Sequence, residues 1–170
     1  SSNLNFVGGQ TVPNAVIAPL SAQGKVCFYV YGKAHLLADV SGYFNSGFTA
    51  LSAPARFLDT RSSTKVGAAD GNGTAYTLTV GGANGVPSGV AAVAMNVTVV
   101  EGEDPAVGGG YVTVYPCGSR PNSSNLNFVG GQTVPNAVIA PVSAQGTVCF
   151  YVYGKAHLLA DVSGYFATTA

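Results

Sequence analysis

The chain has 170 residues, enough for one domain and a fraction, with seven Lys and Arg set against seven Asp and Glu and 8% of positions charged, where an ordinary soluble domain has about 25%. Charges so few and scattered exclude a nucleic-acid interface, no apolar run reaches the length of a membrane span, and no charged-then-apolar leader opens the sequence. A neutral, charge-poor surface has little self-repulsion and favours association.

Short β-branched and aromatic runs alternate with turns marked by 23 glycines and nine prolines. The first four runs predict strands near 3–7, 11–20, 24–31 and 34–43. Others follow near 54–61, 74–80, 90–100 and 110–116, separated by turn signals such as Asp70-Gly71-Asn72-Gly73, Asn84-Gly85 and Gly108-Gly109-Gly110. The last four, near 125–129, 133–142, 146–153 and 156–165, repeat the first four. Residues 1–44 return as 123–166 at a constant offset of 122, and only Leu20/Val142 and Lys25/Thr147 differ. Identity this high marks recent duplication of a long tandem module, which must be recognised before the fold is read.

One full module is therefore residues 45–166, with 1–44 the C-terminal half of a preceding module and 167–170 a tail. Forty-four residues alone are near the limit of independent folding, so the leading copy is expected to shelter against its own chain or another. Many short strands at spacings of about ten residues, with no helical period, predict an all-β fold. The form expected is an antiparallel β-sandwich, jelly-roll or Ig-like. Alternation assigns faces: Val112 and Val114 oppose Tyr111, Thr113 and Tyr115, and Phe150 and Val152 oppose Cys149, Tyr151 and Tyr153. Leu158, Ala160 and Val162 oppose His157, Leu159, Asp161 and Ser163, while Val93, Met95, Val97 and Val99 form another inward face. Pro135 places its strand at an edge or a bulge.

Cys27 and Cys149 are equivalent repeat positions, so each complete module owns Cys117 and Cys149. One pair per module reads most simply as a disulfide formed in an oxidising compartment, against the alternative of buried free thiols. Cys27 then pairs upstream, competes with Cys149 for Cys117, or stays free.

The phrases PARFLDTR, GVPSGVAAVAMNVTVVE and GYVTVYPCGSRPN, with HLLADVSGYF at the close, resemble a repeat module of large secreted proteins of actinobacteria and some other bacteria. Those modules open near R-L-[LV]-D-T-R and close on D-V-[AS]-G-Y-F. The resemblance covers residues 54–166 and the leading copy. It implies an extracellular, tandemly repeated β module of surface proteins and carries no catalytic residue with it. Some relatives have a cysteine just before the opening Arg. Here Ala53-Pro54-Ala55 stands there, which leaves Cys117 and Cys149 as the natural pair.

His157, Asp161 and Ser163 have the letters of a hydrolase triad but lie along one strand, at separations of about 7 and 13 Å, where a triad needs contacts near 3 Å. No enzyme is expected. With so few charges, Arg56 or Arg61 is expected to pair with Asp161, Arg56 lying on the face opposite to Asp59 and Arg61. Glu101, Glu103, Asp104 and Asp70 sit in oxygen-rich loops that lack a dedicated calcium pattern, so no cofactor is expected, calcium being the one candidate. A zinc site lacks ligands. Asn72, Asn96 and Asn122 open N-glycosylation triplets that matter only in a eukaryotic source. Tyr111, Tyr115, Tyr151 and Tyr153, with Tyr29 and Tyr31 of the leading copy, form either a face for sugar rings or packing between strands and modules.

The function expected is an extracellular structural repeat of a long surface protein or fibre, assembling with itself head to tail through module contacts or strand exchange. The alternative is an adhesive module that binds polysaccharide or cell wall through its tyrosines.

Overall fold

Runs rich in Val, Thr and Tyr on a two-residue period fit a pleated, half-buried surface, and the computed structural model is antiparallel β with no helix among the residues it describes, 2–38, 40, 43–105 and 109–168. Its strands are β1 (Phe48–Asp59), β2 (Val66–Ala68), β3 (Tyr76–Thr79), β4 (Ala92–Glu103), β5 (Gly110–Pro116), β6 (Leu126–Phe128), β7 (Val134–Pro141) and β8 (Thr147–Phe166). The expected all-β antiparallel fold is present. Its two layers come from one eight-stranded sheet that curls on itself, so that Asn136 Nδ2 of β7 donates to Asn125 O beside β6 at 2.5 Å.

Everything is arranged about β8. The two strands expected at 146–153 and 156–165 run as one strand of 20 residues. Gly154 makes this possible: it lies at φ 88°, and a Cβ there would stand 2.6 Å from Glu103 O. On one edge β8 pairs with β3, β2 and β1 in turn, from Thr79↔Thr147 to Phe48↔Phe166. On its other edge it pairs with β5 and then β4, from Pro116↔Val148 to Ala92↔Phe166. β6 extends the sheet beyond β5, and β7 beyond β4. β7 is thus terminal in the strand order, in keeping with Pro135.

The inward faces are those that alternation assigns. Val93, Val97 and Val99 of β4 pack with Val112 of β5 and with Phe150, Val152, Leu158 and Val162 of β8. A smaller layer on the opposite face of the sheet joins Tyr115, Cys149 and Tyr151. β2 was not expected from the sequence, because three residues carry no periodicity and only their pairing across Gly154 makes them a strand.

The leading copy departs from expectation. No strand forms among its described residues, and Asp39, Ser41 and Gly42 of the strand expected at 34–43 lie outside them. A strand needs a partner edge, and both edges of the place that suits this sequence are already taken by β8. Phe28 is therefore 66% exposed where its equivalent Phe150 is 0%, and Leu36 is 57% exposed where Leu158 is 0%. Hydrogen bonds tie the copy to the sheet at Asn14, whose Nδ2 donates to Asn96 Oδ1 at 3.1 Å and whose Oδ1 accepts from Ala137 N at 3.1 Å. Asn96 Nδ2 also donates to Ser2 O at 3.0 Å.

Close packing around β5 gives a direct test. A Cβ on Gly110 would overlap the ring of Phe128, which is buried. Gly110→Ala is expected to cost about 1–3 kcal/mol of stability, as overpacking does, read as a lower midpoint in urea with an unchanged slope.

Candidate functional site

The candidate site is the slot that β8 occupies, lined by β1, β2 and β3 on one side and by β4 and β5 on the other. Three devices fix its occupant in register. The first is ionic. Arg56 lies opposite Asp161 in the β1–β8 ladder, and its Nε and Nη2 donate to Asp161 Oδ1 at 2.5 Å and Oδ2 at 3.0 Å. The Asp161 side chain is almost wholly buried and the fork is two-pronged, the geometry in which a guanidinium holds a carboxylate best.

Arg61 does not reach Asp161. Its Nε and Nη2 donate to Asp59 at 3.0 and 2.6 Å. Arg56 also meets Asp59, through Nη1 at 3.0 Å, although simple alternation puts the two on opposite faces. The reason is a bulge: the register steps from Arg56↔Asp161 to Leu58↔Ala160, so Phe57 is an extra residue and the face of Arg56 returns at Asp59. Hydrogen bonds from the Arg61 guanidinium, and then from its backbone, hold the Asp59 carboxyl well below the usual carboxylate range.

The second device is covalent. Cys117, just past the end of β5, is joined to Cys149 of β8 with Cα atoms 4.9 Å apart and a sequence separation of 32 residues. Cys27 is free and exposed.

The third is aromatic. Tyr111 stacks on Tyr153 with centroids 5.3 Å apart, and Tyr151 donates its hydroxyl to Gly71 O at 2.7 Å beneath the Arg120 guanidinium, 3.7 Å from the ring centroid. Tyr115 and Tyr151 are buried, while Tyr111 and Tyr153 are half-buried. In the leading copy the equivalents of Tyr151 and Tyr153, Tyr29 and Tyr31, are exposed.

The other singled-out side chains have separate partners. Thr60 Oγ1 lies 3.4 Å from His157 Nδ1 and accepts from Leu158 N at 2.8 Å. Ser163 donates to Ala94 O at 3.2 Å, and Asp161 belongs to Arg56, so the three letters of a triad share no hydrogen bond. Glu103 accepts from Lys65 Nζ at 2.7 Å, which lowers its pKa, and Asp70 accepts from Asn72. Among the described residues no three His, Cys, Asp or Glu side chains gather as a metal site requires, and no helix is long and apolar enough to cross a membrane. The contributions of Thr60 and Arg120 carried no signal in sequence, since each depends on a loop packing against β8. Comparison with protein families, curated proteins and solved structures yields no match for the chain.

Two measurements test these devices. Arg56→Ala strands a buried carboxylate and is expected to cost about 3 kcal/mol, whereas Arg61→Ala, on an exposed pair, is expected to cost less than about 1 kcal/mol. Asp59 has a folded pKa below its unfolded value near about 4, so its contribution is present above that pH and fades as pH falls through the folded value. The difference in Tm between the wild type and Asp59→Asn is therefore expected to shrink below about pH 4.

Proposed function

We propose that this chain is an extracellular structural repeat of a long surface protein or fibre, whose modules join to their own kind by strand exchange and carry out no catalysis. The observation behind it is the unpaired second set of β6, β7 and β8 sequence, nearly identical to the set that fills the slot. Its apolar residues are those that the slot buries, so it matches the other half of any module of this type. Near-identity of the copies supports neighbours that make the same contact again and again. The disulfide fits an oxidising, extracellular setting, and the low charge favours association.

A polysaccharide-binding role stands second. With Tyr115 and Tyr151 buried, its face is reduced to Tyr111 and Tyr153.

The 170-residue chain is expected to associate into oligomers that grow with concentration, measured by light scattering on size-separated samples. A single-chain species at every concentration would count against exchange between molecules.

A further inference from the structure

The connection from the leading copy into β1 is short, three residues separating Phe44 from Phe48. Phe48 pairs with Phe166 in the β1–β8 ladder, and the repeat equivalent of Phe166 is Phe44. If the leading copy occupied the slot, Phe44 would pair with Phe48 across Asn45-Ser46-Gly47. That is a three-residue hairpin loop, which calls for a left-handed residue at its end, and Gly47 already lies at φ 78°. The Phe44 ring is 5.4 Å from Phe48 and 5.9 Å from Phe166. The two candidate ends of the central strand therefore lie together at the start of β1.

The leading copy also holds the local shape of its seated twin. Gln10 N donates to Val7 O at 3.2 Å, as Gln132 N does to Val129 O. Ser21 N donates to Lys25 O at 3.0 Å, as Ser143 N does to Thr147 O. Asn14 Nδ2 donates to Asn3 O at 2.5 Å, as Asn136 Nδ2 does to Asn125 O. Gly32, at φ 98°, has the swivel of Gly154 at φ 88°. Among its described residues these turns are present and the ladders are missing, which lessens the local ordering to be done on seating.

We propose that the slot of this chain has two interchangeable occupants, and that residues 1–44 seat in their own chain's slot through the 45–47 hairpin, releasing 123–166. Cys27 then takes the place of Cys149. The Cys27 thiolate attacks Cys117 Sγ, the Cys27–Cys117 bond forms as Cys117–Cys149 breaks, and Cys149 leaves as the thiolate and takes up a proton. The number of disulfides is unchanged and no outside oxidant takes part. The released copy is then a complete donor for the slot of another module. This deepens the assembly reading above and rests on it.

The test uses the full chain at dilutions where light scattering finds single molecules. After reduction and reoxidation, peptide mapping of the wild type is expected to show Cys27–Cys117 and Cys117–Cys149 within about tenfold of each other, since the copies differ by one methylene at Leu20/Val142 and by Lys25/Thr147. Phe150→Glu is expected to keep a folded chain in which mapping finds Cys27–Cys117 within one molecule. Phe28→Glu is expected to leave Tm unchanged and show Cys117–Cys149 alone, and the double variant is expected to unfold. An unfolded Phe150→Glu, a folded double variant, or a wild type with Cys117–Cys149 alone would overturn the proposal. So would a Cys27–Cys117 bond found only between molecules. A chain that assembles without forming the bond internally defeats this inference and spares the assembly reading; a strictly single chain that forms it does the reverse.

Discussion

A backbone buried in a sheet must satisfy its N–H and C=O groups on both edges, and in this protein one strand meets that demand for five others. β1, β2 and β3 pair with β8 on one edge, and β4 and β5 on the other. These two groups of strands have no ladder with each other. Without β8 they would expose unpaired edges and the apolar faces of Val97 and Val112 together. The fold is therefore a seat and an occupant more than a stack of equal strands, and the occupant comes last in the chain.

An occupant this long must be held in register, because a slip of one residue would turn Phe150 and Leu158 outward and Tyr151 and Asp161 inward. The Arg56 fork pins the C-terminal half of β8, and the Cys117–Cys149 bond pins the N-terminal half. Between them Gly154 lets the strand change course as its partners change from β3 and β5 to β1 and β4. A bridge enclosing a loop of this length contributes about 3–4 kcal/mol in the chain-entropy account, comparable with the cost of leaving Asp161 unpaired. Neither device is redundant, since each guards a different half of the strand.

The same logic explains the form of the leading copy. Its sequence is an occupant, and a strand cannot form against a seat already filled. What it retains is what local chemistry alone enforces: the turns at Val7–Gln10 and Ser21–Lys25 and the Asn14 side-chain bond. What it lacks is burial, with Tyr29 89% exposed where Tyr151 is 8%. So large an apolar surface on a nearly uncharged chain is what the proposed strand exchange would bury.

Much of this was legible from residues alone. The duplication, the β class, the inward faces of β4, β5 and β8, the placing of Pro135 at an edge or a bulge and the pairing of Asp161 with one of Arg56 and Arg61 follow from identity, two-residue alternation and scarcity of charge. Local pattern could not reveal that two runs would fuse through Gly154, that Phe57 would bulge and bring Arg56 to Asp59, or that Val66–Ala68 would be a strand. Each depends on which edge lies opposite. Nor could it separate two nearly identical segments: 1–44 and 123–166 have one pattern and two conformations. The amino-acid order determined which residues are fit to fill the centre of the sheet, because alternation and turn chemistry are local. Tertiary structure alone decided that only one copy fills it at a time, because a seat with two paired edges accepts a single strand.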